Sequence, residues 1–374
     1  MRVSVSHMGN IYVTIRAWAH GLGRSDILIV PPANSQRTLS LGTKYSPEGL
    51  CLPFKLTLGN LIEACELGAD TLVITGGEGI CRLGYYVKTQ EKILRDLGYN
   101  FEIIQLSLSK QRVLGLLKLM KRLSNNASWF KIISALRFGI AKQIAMDKIE
   151  RLVQKVRAVE LVKGTANRLY AKAIEAIDNA GDYRTLKKAQ IDYTDQLNHV
   201  ARDTEARPPI VGIIGEFYVV LEPFANQNIE SELGKLGVEV RRRTFISAWA
   251  KFSFFFNYLG LDETSRIHKA ALPYLKRDVG GDGWEAVGEK VLHARDYDGL
   301  IHLAPFTCMP EIVAQNIMPS TRENIPVLTI LCDEQMNRTG MLTRLEAFVD
   351  LLKSRRRAGN NTQRREANES LSRY

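Results

Sequence analysis

Cys308 lies in Asp298-Gly-Leu-Ile-His-Leu-Ala-Pro-Phe-Thr-Cys308-Met-Pro-Glu311, where an apolar run meets a proline corner and then a helix start carrying Pro310 and Glu311. A thiol so placed faces backbone N–H groups and the positive end of a helix dipole. That is worth roughly 0.3–1 kcal/mol to a nearby negative charge, so thiolate is expected over thiol. Two earlier stretches are built alike. Ser46-Pro-Glu-Gly-Leu-Cys51-Leu-Pro-Phe-Lys55 sets a cysteine two residues ahead of a helix-opening proline, and Gly76-Gly-Glu-Gly-Ile-Cys81-Arg-Leu-Gly-Tyr85 sets another between an apolar strand and a helix. Three cysteines therefore stand at turns into helices, on the side of an α/β layer where ligands bind.

These cysteines lie 30 and 227 residues apart along the chain. Zinc ribbons and ferredoxin runs use close cysteine pairs, so neither is matched. Ligands scattered through two domains must meet in a cleft between them. Thiolates are soft donors that select zinc, copper(I) or iron–sulfur centres. A 4Fe–4S cube normally takes four cysteines, so three would leave one iron open to water or substrate. Cys65, inside an amphipathic helix, and Cys332, closing an apolar strand beside Asp333, read as buried residues instead.

Other side chains near the three have chemistry open to them. Glu48, Glu78 and Glu311 each fall three residues from a cysteine and could accept protons or set hydrogen bonds, or simply be solvated helix-start carboxylates. Glu216 follows directly on a buried strand, at the carboxyl end where α/β sites collect catalytic groups. Lys55 and Arg82 could offset the charge of an anionic cluster or hold a phosphate-bearing substrate. His302, within an apolar strand, reads as a satisfied core histidine, and Arg344 as half of a surface ion pair with Glu346. Gly280-Gly-Asp-Gly283 lacks the lysine and the serine or threonine of a phosphate-binding loop.

The elements that must position these groups follow from hydrophobic period. Residues 1–105 alternate short unbroken apolar strands (3–6, 27–30, 72–75, 101–105) with helices at 11–21, 54–67 and 85–97, the pattern of a parallel sheet buried on both faces. Residues 106–207 change to helical spacing without strand signals, broken at Ser124-Asn-Asn126, Gly164 and Asn179-Ala-Gly-Asp182, and so form a helical insertion or cap. Arg207-Pro-Pro209 opens a second α/β domain over 208–353. Its strands are expected at 210–214, 238–241, 300–303 and 327–331, and its helices include 247–258. The fold class is thus α/β, two doubly wound halves of flavodoxin or Rossmann type around a helical insertion. Cys51-Leu-Pro53 and Cys308-Met-Pro310 hint at internal duplication. Residues 354–374 read as a basic disordered tail.

Composition bounds the rest. The 374 residues are 45% hydrophobic and 24% charged, enough for a large core. No apolar run reaches the length of a membrane span, and the N-terminus has no signal-peptide core, so a cytoplasmic protein with no membrane partner is expected. Five cysteines without regular spacing are no disulfide framework. The formal charge of +11 is concentrated in the helical insertion and the tail, either as a solvated surface or as a docking face for an acidic partner or a nucleotide-bearing substrate. No nucleic-acid reader motif accompanies it.

Five blocks in order carry a family resemblance: Ser46-Pro-Glu-x-x-Cys51-x-Pro-Phe-Lys55; Gly77-Glu-Gly-x-Cys81-Arg-x-Gly-Tyr-Tyr86; Gly215-Glu216-x-Tyr218; Pro305-Phe-x-Cys308-x-Pro-Glu311; and Asp333-Glu334 with Gly340-x-x-Thr-Arg-Leu-Glu-Ala-Phe348. Together they resemble the family related to the D-component of 2-hydroxyglutaryl-CoA dehydratase, and most closely its branch called CoA-substrate-specific enzyme activase or CoA protein activase. The resemblance implies an oxygen-sensitive 4Fe–4S cluster between flavodoxin-like domains, with Cys51, Cys81 and Cys308 as its ligands. It also implies a separate ATP-hydrolysing activator that delivers an electron, a related second subunit, and a ketyl radical made from a 2-hydroxyacyl-CoA thioester with loss of its hydroxyl. A reductase or dehydratase component is the expectation. An electron-transfer or scaffold subunit without turnover, and a zinc-stabilised binding module, are the alternatives.

Overall fold

Among the described residues eight parallel strands pair in two sheets. This computed structural model describes residues 1–76, 81–106, 113–247 and 263–371. Glu78 and all but the first residue of the helix expected at 247–258 lie outside the described residues. In the first half β1 (Val3–Val5), β2 (Leu28–Ile29), β3 (Thr71–Thr75) and β4 (Glu102–Leu106) stand in the order β2-β1-β3-β4. The second half repeats that order as β6-β5-β7-β8, with β5 (Ile210–Gly215), β6 (Glu239–Arg242), β7 (Gly299–Pro305) and β8 (Val327–Cys332). Every residue of β7 is buried, which is why its sequence is an apolar run without alternation.

In each sheet the chain first steps one way from the central strand and then crosses to its other side, leaving switch points between β1 and β3 and between β5 and β7. Ligands of open α/β sheets bind outside the carboxyl ends of strands at such points. Cys81 follows β3, Glu216 follows β5 and Cys308 follows β7. The two Cys-x-Pro elements are not equivalent in the repeat. Cys308-Met-Pro310 follows the third strand of its sheet, whereas Cys51-Leu-Pro53 precedes the third strand of the other.

Two helices of the described residues were not expected, the short Phe217–Leu221 and the longer Gln36–Tyr45. Gln36–Tyr45 is mostly polar, yet it is fixed at its start by reciprocal bonds between Ser35 and Thr38 and packs on the helix Leu52–Glu66. Among its described residues the insertion forms four helices, Val113–Leu123, Trp129–Val159, Thr165–Asn179 and Tyr183–Asn198, broken at the three expected places. Its long helix packs on Ile11–Leu22 and on β6. The last helix runs Arg338–Leu371, past the end expected at residue 353. Among the described residues no helix is long and apolar enough to cross a membrane.

The two halves share a core. Leu39, Leu52 and Leu56 of the first pack with Val211, Ile301, Phe348 and their neighbours in the second. Polar bonds cross the same seam: Asn34 Nδ2 donates to Tyr218 Oη at 2.9 Å, Tyr218 Oη donates to the His7 carbonyl at 3.1 Å, and the Gly9 N–H donates to Glu222 at 2.7 Å.

Candidate functional site

Each cysteine takes its place from a helix start. Cys51 caps Leu52–Glu66 and Cys308 caps Met309–Ile317, both with a proline in the first turn, and Cys81 directly precedes Arg82, the cap of Leu83–Asp96. Proline suits those positions because the first N–H groups of a helix have no internal partner to lose. The turn before Cys308 is made by Thr307, which adopts the left-handed backbone at φ 67°.

One carbonyl joins the three cysteine loops. Gly49 O, two residues before Cys51, accepts from Arg82 Nη1 beside Cys81 and from Thr307 Oγ1 beside Cys308, the latter at 3.2 Å. The glycine turn dismissed from sequence supplies a further wall. A methyl group at Gly281 would come within 3.9 Å of Cys81 Sγ and 3.1 Å of the Pro310 ring. Cys51 senses the charge of Cys81, Cys308 senses that of Cys51, and all three sense Glu216.

Tyr86 and Asp282 were not singled out from sequence. The Tyr86 hydroxyl lies 2.7 Å from Cys51 Sγ, both groups buried, and its ring packs edge-on against Phe54. Its signal was its place in the first turn of the helix that Cys81 introduces. Asp282 accepts the Phe217 N–H at 2.9 Å and faces Glu216 and Glu311. No local signal marks it, because the Gly280–Gly283 turn acquires its role only through tertiary contact with Pro310.

Burial decides the protonation of the site. It pushes all three thiols up, against the expectation of thiolate. The physical reason is magnitude: a helix dipole is worth less than one pKa unit, whereas burying a charge can shift a group by several. Burial likewise raises Glu216 to about 7, Glu311 to about 8 and Asp282 well above the carboxylate range. Glu216 also caps the short helix Phe217–Leu221, accepting the Val219 N–H at 2.9 Å. His302 is fully buried, 2.6 Å from Glu311 through Nε2 and 3.3 Å from Thr329 through Nδ1, and burial holds it down to about 4. It is the satisfied core histidine expected.

Among the predicted site residues, the structure brings together Cys51, Cys81, Cys308, Glu216, Glu311 and Arg82. Lys55 instead lies buried in an ion pair with Glu334 at 2.5 Å, and Glu48 is exposed. Cys332 is buried as expected and Cys65 only half-buried, and burial pushes them up to about 12 and about 11. Arg344 donates to the Thr329 carbonyl, where an ion pair with Glu346 was expected. Among the described residues no three His, Cys, Asp or Glu side chains are grouped as donors to one metal ion.

No family model matches this chain, and no curated protein does. Its chemistry must be argued from the site itself.

Proposed function

We propose that the chain is an iron–sulfur protein of the 2-hydroxyacyl-CoA dehydratase and activase type, with Cys51, Cys81 and Cys308 holding a 4Fe–4S cluster between its α/β halves. On this proposal it takes electrons from an ATP-hydrolysing activator and reduces or dehydrates an acyl-CoA-like substrate. The observation that carries it is the joining of three cysteine loops from two domains at Gly49 O, beside the carboxyl ends of β3, β5 and β7.

The donor set fits such a cluster. In a cubane each thiolate sits on its own iron, so the sulfurs need not share one ion's coordination sphere. The nearby carboxyls of Glu216 and Glu311 are raised to about 7 and about 8, and burial raises Asp282 too, which limits the negative charge beside an anionic centre. When bound, the cluster would supply an electron and, with three protein ligands, an open iron.

The chain's own residues do the rest. Tyr86 bonds and orients the Cys51 sulfur. Glu216, partly buried at the end of β5, lies within electrostatic reach of all three cysteines, and on this proposal it gives a proton to the departing hydroxyl. His302 fixes Glu311 from behind.

Anaerobic purification should yield a brown protein with about four irons and four sulfides per chain. Serine at Cys51, Cys81 or Cys308 should strip most of the iron, while Cys65→Ser should not. A colourless chain after anaerobic reconstitution would refute the proposal. Iron bound without any change of an acyl-CoA after reduction would leave the cluster and remove the enzyme.

A further inference from the structure

Between Glu102 and Asp147 the chain contains eight lysines and arginines and no aspartate or glutamate. The corner between the first two helices of the insertion lies in that stretch, and it presents apolar side chains to solvent. Phe130 is 85% exposed, Ile133 52%, Trp129 39% and Leu117 38%. Phe130, Ile133 and exposed Arg137 fall at spacings of three and four, on one side of the long helix.

The corner is built rather than loose. Ser128 caps the long helix, Asn125 and Asn126 make the turn in left-handed backbone, and Lys121 Nζ donates to the Ala127 carbonyl at 2.7 Å while lying 4.8 Å from the centre of the Trp129 ring. Lys131 and Arg122 stand exposed beside it. Such a knob of aromatic and aliphatic groups ringed by cations has the composition of a surface that enters the headgroup layer of an anionic bilayer.

We propose that this corner docks the protein peripherally on anionic lipid, with Phe130, Trp129 and Ile133 entering the interface and Lys121, Lys131 and Arg137 facing the headgroups. Docking of this kind needs no membrane-spanning helix, and it departs from the expectation of no membrane partner. The pattern favours lipid over an acidic protein, because the corner sets projecting apolar tips beside Lys121 and Lys131, and lysine is depleted at protein interfaces where arginine is enriched. It favours lipid over nucleic acid, because Ile133 and Leu117 offer aliphatic surface with no base to stack on.

Flotation with vesicles tests this on the full chain. The protein should float with phosphatidylcholine mixed with phosphatidylglycerol and stay down with phosphatidylcholine alone. Replacing the exposed Phe130 and Ile133 together (Phe130→Ser, Ile133→Ser) should lower the floated fraction about tenfold with an unchanged thermal melt. Lys131→Glu with Arg137→Glu should do the same. Protein left at the bottom with the anionic vesicles, as an acidic-protein or nucleic-acid face would leave it, overturns the proposal. So does equal flotation with both vesicle types, or equal flotation of the Phe130→Ser, Ile133→Ser variant.

Discussion

Glu150 illustrates at the residue scale how burial and charge compete away from the cysteines. It lies 2.8 Å from Arg242, yet burial and the nearby Glu230 and Asp147 hold its carboxyl up at about 7. The native protein therefore keeps a proton that the unfolded chain releases from about pH 4.5 upward. The stability this group contributes is fully present below that pH and is lost as pH rises through about 7. Glu150→Gln, which cannot ionise, should flatten the fall of the urea midpoint between about pH 5 and about pH 8, by at most one proton, or about 1.4 kcal/mol per pH unit. An unchanged slope in the variant would locate the titration elsewhere. The cysteine site shows the same competition from the side of legibility. Cys51, Cys81 and Cys308 could be picked out because helix starts leave local marks, proline and glycine above all. Their protonation could not, because it depends on burial by other elements and on groups those elements bring, such as Asp282, whose charge raises the Cys81 thiol, and Tyr86, whose hydrogen bond works the other way at Cys51.

At the scale of elements, the eight strands of the described residues were readable, the inner ones such as β7 because a strand covered on both faces is apolar throughout, and β6, Glu-Val-Arg-Arg at the sheet edge, by its place in the alternation of strand and helix. The helix Gln36–Tyr45 was not, since its tertiary contact is made by absence of a side chain. A methyl group at Gly42 would lie 1.7 Å from the Lys55 carbonyl oxygen, and one at Gly59 would lie 1.9 Å from that of Thr38. Glycine at these two positions lets the helices Gln36–Tyr45 and Leu52–Glu66 touch backbone to backbone, and Cys51 caps the second of them. Gly42→Ala should then cost about 1–3 kcal/mol or more, as overpacking does, and should loosen Cys51 from its neighbours, read, if the proposed cluster is present, as iron lost on anaerobic gel filtration. Gly181→Ala, where a methyl group meets nothing within 4 Å, is the control and should do neither. Equal behaviour of the two would mean that the helix crossing does not position the cysteine.

For the molecule as a whole, the question is what holds two α/β halves in the one arrangement that brings their cysteine loops together. Shared apolar packing around Leu52 and Leu56 supplies cohesion, and the Lys55–Glu334 pair adds a polar bond across the seam. That pair is lopsided: the lysine side chain is 3% exposed and the glutamate 28%. Sequence suggested Lys55 as a counter-charge for a cluster or a phosphate, but its ammonium is engaged at the interface. Breaking a buried pair is costly mainly through the charge left behind. Glu334→Ala strands an ammonium in the interior and should cost about 3–5 kcal/mol. Lys55→Met keeps the apolar stem and leaves a carboxylate that can turn toward water, so it should cost much less, within about 1.5 kcal/mol. Urea midpoints of the two variants decide the matter. Equal losses, or a larger loss for Lys55→Met, would mean that Lys55 is not desolvated as its burial implies, and would return it to the pool of cations available to the cysteine site.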